Sequence, residues 1–316
     1  MRHARRLEAL SRLAVRPMLS PSATPALDRV VALRDGRRVA FSEWGRADDP
    51  PVVLFHGMPG SRLFCPDTAA TERAGVRLIT VDRPGYGMSS PRPGRTLLDW
   101  ASDYDEWAAL IDLPPCPIVG WSAGGAYALA CAVQCPDRVT SIALAASVAP
   151  MDEVPSELEA LSDEGRDLVA LIRHGAPDAT ARTAARYEWF AEGWVTVFDP
   201  GAGTADDALL AEDGVLEPAL AWIEEAARQG GTGWAEDCFA DALPWGFSPS
   251  QVTHDVHVWW GDDDQLVRRE SAEHLARAIE RSTLTVLAGQ GHLFPIRHWE
   301  DILAKLQPHA VLSSRS

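Results

Sequence analysis

The run "CPIVGWSAGGAYALACAV", Cys116 to Val133, decides the fold. An apolar β-like stretch breaks at Gly120-Trp121-Ser122-Ala123-Gly124 and resumes as an alanine-rich helix. A serine set between two glycines at a strand-to-helix junction fits the sharp turn called a nucleophile elbow. In that turn the serine backbone is strained. Side chains two residues to either side would collide with each other, so Gly120 and Gly124 leave the space. Ser122 then stands at the tip.

Working outward, "PVVLFHG", "VRLITVD", "PIVGWS" and "VTSIALAASV" are apolar runs without alternation. Helical-period segments such as "LLDWASDYDEWAALIDL" separate them, the pattern of parallel strands buried on both faces. "VHVWWGDDD", "RRESAEHLARAIE", "LTVLAG" and a helix from about Pro295 repeat the pattern near the end. Ahead of these, "DRVVALRDGRRVAFSEWG" reads as a hairpin with a tight two-residue turn at Asp35-Gly36. The fold class expected is therefore α/β, with a mostly parallel central sheet. Residues 29–150 and 251–310 form its core. Residues 151–250 have helical periodicity, five of the twelve tryptophans and almost no strand-like run, and read as an inserted helical cap. Those tryptophans serve either an aromatic pocket or the burial of a thin helical layer.

Charge is distributed unevenly. The chain's net charge is −16. Residues 151–250 hold 21 acidic and 5 basic side chains, so the insert carries all of it and the remainder is neutral. That balance argues against nucleic acid or an anionic membrane as partner. No apolar run is long enough to span a membrane. The five cysteines are an odd count with no CxxC or His-flanked zinc spacing, so no metal is expected and a reducing, cytoplasmic setting is the simpler reading. Residues 1–28 carry five arginines in the first sixteen positions and read as a weakly ordered extension, with a transit peptide as the alternative. Phosphate-binding glycine loops are absent from the sequence.

A serine hydroxyl needs a base to take its proton and a third group to orient that base. Ser122, Asp264 in "GDDDQLV" and His292 in "GQGHLF" each follow the carboxyl end of an expected strand, the edge where open parallel sheets bind ligands. Asp262 and Asp263 compete with Asp264 for the third place. In "LFHGMPGSR" the N–H of Met58 is placed to join that of Ala123 in an oxyanion hole, with His56 bracing the turn. Asp82 and Arg83 in "VDRPGYG" read as a fixed loop, with Arg83 pairing locally.

"HGMPGSR", "VDRPGYGMSS", "VGWSAGGAYALA", "WGDDDQLV" and "GQGHLFP" resemble, in order, the signature blocks of the alpha/beta-hydrolase superfamily, in its capped, cofactor-independent group. The resemblance covers roughly residues 29–310, with the insert where such proteins carry a cap. It implies a Ser122-His292-Asp264 triad and oxyanion donors at Met58 and Ala123. The family spacing, a glycine with the acid three residues later, selects Asp264 after Gly261 and leaves Asp262 and Asp263 as solvated loop carboxylates. It also implies hydrolysis of a small, partly apolar ester or related acyl substrate without a cofactor; the acidic insert serves either a cationic substrate or solubility. A prolyl-aminopeptidase-like hydrolase, a cofactor-free haloperoxidase and a carbon–carbon bond hydrolase would use the same groups. A ligand-binding receptor on the same fold is the non-enzyme alternative.

Overall fold

The computed structural model describes residues 25–176, 178–192 and 203–306, so most of the arginine-rich extension lies outside the described residues. β1 (Leu27–Ala32) starts two residues ahead of the expected boundary and pairs antiparallel with β2 (Arg38–Trp44). Their connection is not the two-residue turn expected from Asp35-Gly36. Leu33 N–H donates to the Arg37 carbonyl at 2.7 Å, which closes a three-residue loop with Gly36 at φ 85°. A left-handed third residue is what such a loop needs, so the glycine is used one position later than a two-residue turn would use it.

β3 (Pro51–Phe55), β4 (Arg77–Val81), β5 (Cys116–Trp121), β6 (Val139–Ala145), β7 (Asp255–Gly261) and β8 (Ser282–Leu287) complete one eight-stranded sheet, ordered β1-β2-β4-β3-β5-β6-β7-β8. From β4 to β8 every pairing is parallel, and β2 joins β4 antiparallel. In register, Phe55 lies opposite Val81 and Gly120, and Ala145 lies opposite Trp121 and Trp259. The carboxyl ends of the central strands therefore share one edge.

In chain order the helices are α1 (Thr68–Ala74), α2 (Leu97–Leu110) and α3 (Gly124–Gln134). Between β6 and β7 follow α4 (Pro155–Ala160), α5 (Asp163–Arg173), α6 (Ala179–Glu192), α7 (Ala205–Leu210), α8 (Leu216–Ala226) and α9 (Thr232–Ala242). After β7 come α10 (Arg269–Ala278) and α11 (Pro295–Leu306). The acidic insert holds no strand among the described residues.

Both sheet faces are covered, which is why the strand sequences lack alternation. On one face Phe41, Phe55, Trp100, Tyr104, Trp107 and Leu129 pack together, with Phe55 edge-on to Trp100 at 5.5 Å. On the other, Leu54, Phe64, Trp121, Trp222, Trp299 and Leu303 do the same. α2 starts at a reciprocal cap between Thr96 and Asp99. Seven of the eleven residues of α3 are Gly, Ala or Cys, and it is buried almost throughout, so it can lie close against β3, β5 and β6. Trp245, from the insert, joins the first core rather than a pocket.

Candidate active site

Ser122 sits between β5 and α3 with φ at 56°, a left-handed backbone that a non-glycine residue holds only when its surroundings impose it. Its N–H donates to the Ala145 carbonyl at 2.9 Å and its carbonyl accepts from Gly125 N–H at 3.0 Å. The flanking glycines leave space for main-chain atoms. A Cβ on Gly124 would overlap the carbonyl of Phe55, and one on Gly120 would come within 2.5 Å of the Gly125 Cα. The crowding is against main-chain atoms: position 120 meets the start of the following helix, including the Gly124 carbonyl at 2.7 Å, and position 124 meets β3. Gly125, outside the expected pattern, is as constrained, since a Cβ there would overlap Ser147.

The loop after β3 passes beside the serine: a Cβ on Gly57 would be 3.1 Å from the Ser122 Cβ. Met58 and Ser122 line the same cavity, of about 330 Å³. The N–H groups of Met58 and Ala123 donate to no main-chain acceptor among the described residues. His56 braces this loop, its Nδ1 lying 2.7 Å from the Gly57 carbonyl. Burial, then the Arg83 charge, holds that ring well below its usual pKa, so it stays neutral.

His292, also on the cavity, is buried and places Nδ1 at 2.9 Å from Asp264 Oδ2. The other oxygen of Asp264 accepts the N–H groups of Leu266 and Val267 at 2.8 and 3.0 Å, which fixes the carboxylate. Burial disfavours the charged imidazole, but Asp264 and then Asp206 outweigh it and raise the pKa of His292 above 6.5. Trp121 Nε1–H donates to the His292 carbonyl at 3.2 Å. The structure thus brings Ser122, His292 and Met58 to one cavity with Asp264 behind the histidine and Ala123 at the start of α3.

Three contacts were not anticipated. Asp206, in the first turn of α7, accepts the N–H groups of His292 at 2.9 Å and Leu293 at 2.8 Å. The Thr204-to-Asp207 spacing signals a helix start, but nothing local signals a partner beside the histidine. Asp262 and Asp263 are tied in rather than simply solvated: they accept the N–H groups of Gly289 at 2.5 Å and Ala205 at 2.8 Å. Arg83 does not pair locally. It bonds Asp237 of α9 and donates to the carbonyls of His56 and Gly57, the latter at 2.9 Å. Asp237 also accepts from Arg95, and from the hydroxyls of Tyr86 and Tyr127 at 2.9 and 2.7 Å. Burial opposes ionisation of Asp237, but the two guanidiniums win and hold its pKa far below the usual range. Trp222 and Trp234 line the cavity and Trp245 packs in the core, so these three divide between pocket and packing; Trp194 lies outside the described residues.

The model of the alpha/beta hydrolase family matches residues 52–306. This chain belongs to that family. It is 27% identical over 279 residues to the dihydrolipoyllysine-residue acetyltransferase component of the acetoin cleaving system of Cupriavidus necator, covering 87% of this chain and 67% of that one. It is also 27% identical over 293 residues to the non-heme chloroperoxidase of Streptomyces lividans, covering 87% of this chain and 98% of that relative. Among solved structures, the bromoperoxidase from Bacillus anthracis superposes with a TM-score of 0.67 at 23% identity, over 89% of this chain and 98% of the other. No helix among the described residues is long and apolar enough to cross a membrane, and the five cysteines are free thiols.

Proposed function

We propose that this alpha/beta hydrolase cleaves a small, partly apolar ester or related acyl substrate by covalent catalysis at Ser122. The observation that carries the reading is the buried His292–Asp264 pair at 2.9 Å on the cavity that Ser122 lines at a strained turn. Asp264 bonds Nδ1–H, which leaves Nε2 of the neutral ring unprotonated and able to accept the Ser122 proton. The Ser122 oxygen attacks the substrate carbonyl, and His292 becomes an imidazolium beside Asp264. The oxygen of the tetrahedral intermediate is received by the N–H groups of Met58 and Ala123. The amino end of α3 adds its positive pole. His292 returns its proton to the leaving alcohol, and the acyl-enzyme is then hydrolysed by water through the same relay.

Helices α4, α5, α8 and α9 supply most of the remaining cavity wall, largely as leucine, valine, isoleucine and tryptophan, and we read residues 151–250 as the cap that shapes substrate choice. A cavity of this size and character suits a short acyl chain or small ring. Turnover of p-nitrophenyl esters of increasing chain length by wild type and Ser122→Ala tests the reading. Hydrolysis peaking at short to medium chains and lost in the variant is expected. Equal turnover by both proteins rejects it, and ligand binding without turnover would favour a receptor.

A further inference from the structure

Asp241, in the last turn of α9, is 6% exposed and lines the cavity that Ser122 lines. Its Oδ1 has no hydrogen-bond partner among the described residues. Buried carboxylates elsewhere in the fold have donors. Arg62 serves Asp82 and Glu225, Arg83 and Arg95 serve Asp237, Gly94 N–H serves Glu236, and main-chain N–H groups serve Asp206. A buried acid without a donor costs free energy, and this one also sits at the negative pole of its helix. Glu157, from α4, lines the same cavity and is bonded through Oε1 by Ser271. Two carboxylates from separate helices thus face one largely apolar space.

We propose that Asp241 and Glu157 form a subsite for the protonated amine of an amine-bearing acyl substrate. The subsite rests on the Ser122 hydrolase reading for turnover, but not for binding. An ammonium group donates N–H bonds to Oδ1 of Asp241, an oxygen that no arginine hydrogen-bonds among the described residues. The charged groups around it bear this out. Arg173 lies near Asp241 but spends its Nε–H on the Ala242 carbonyl at 2.9 Å. Arg186 reaches the cavity but pairs with Glu164 at 3.5 Å. Asp237 adds a further negative charge, while Arg268 and Asp264 oppose each other at Glu157. Burial, then Glu157, pushes the pKa of Asp241 up to about 7, so the subsite reaches full charge only above neutrality.

The test compares p-nitrophenyl 6-aminohexanoate with p-nitrophenyl heptanoate, and shorter pairs built the same way, in which an ammonium replaces a methyl. For at least one pair, wild type at pH 8 should favour the amine in kcat/KM by roughly tenfold, the worth of about one charge-assisted hydrogen bond. The ratio should fall at least fivefold at pH 6, in Asp241→Asn, and in Glu157→Gln should Asp241→Asn not fold. A wild-type ratio of one or less for every pair, or a ratio that neither substitution changes, overturns the subsite. Thermal shift with hexylammonium separates the two claims. If no ester turns over, the hydrolase reading fails, and stabilisation of wild type that weakens in Asp241→Asn still supports the subsite. No stabilisation overturns it.

Discussion

Asp206 accepts the main-chain N–H of His292 at 2.9 Å, joining the first turn of α7 to a loop 86 residues further along the chain. The insert therefore holds the histidine loop as well as lining the cavity. In Asp206→Ala those N–H groups lose their acceptor, and kcat should fall roughly 10- to 10²-fold with a smaller change in KM, as expected when a reacting group is slightly misplaced. Asp206→Asn keeps an acceptor oxygen but removes charge that raises the His292 pKa, so its acid limb should shift to lower pH. A purely structural role would leave that limb unmoved.

The proposed reaction needs a neutral His292 as base, and burial notwithstanding, Asp264 and Asp206 raise its pKa above 6.5. Activity should therefore increase with pH through a midpoint above 6.5 in kcat/KM. Asp264→Asn should lower that midpoint and reduce kcat by about 10⁴, the cost of a misoriented tautomer. Asp262→Asn and Asp263→Asn loosen loop anchors at Gly289 and Ala205 instead, so they should lower Tm while kcat stays within about tenfold. Steady-state pH profiles of the three variants check the ranking.

The cluster at Asp237 makes a stability prediction. Arg83, Arg95 and Asp237 have fully buried side chains. Removing the acid strands two guanidiniums, a loss of about 3–5 kcal/mol, so Asp237→Ala should unfold on the order of 10 °C earlier in calorimetry. It should also slow turnover, because Arg83 fixes the carbonyls next to Met58.

These contacts mark where the sequence stops being informative. The parallel sheet was legible because strands buried on both faces carry unbroken apolar runs, and the elbow because its turn tolerates few residue types. Asp264 was separable from its neighbours only through family spacing. Asp206, Asp237 and Asp241 were not legible, because each finds its environment on an element 80 or more residues away or inside a cavity that exists only after folding. Arg83 looked local for the same reason: its partner lies 154 positions on. The short helix α1 escaped notice because seven residues show too little periodicity.

Asp241 gives a pH test independent of catalysis. Its folded pKa of about 7 lies above the usual 3.8, so the folded state holds a proton that the unfolded chain releases first. Stability from that proton is complete below pH 3.8 and is lost as pH rises through about 7. Asp241→Asn mimics the protonated form. It should match wild type in Tm near pH 4 and exceed it at pH 8, by an amount worth up to about 4 kcal/mol. Equal Tm values at both pH values would contradict this.

The central claim is that Ser122 is the nucleophile, and intact mass spectrometry after exposure to a fluorophosphonate measures it most directly. One adduct per chain, mapped to the peptide containing Ser122, absent from Ser122→Ala and slowed in His292→Ala, is the predicted result. An unmodified wild-type chain that still hydrolyses esters, or an adduct on another residue that persists in Ser122→Ala, would contradict the account.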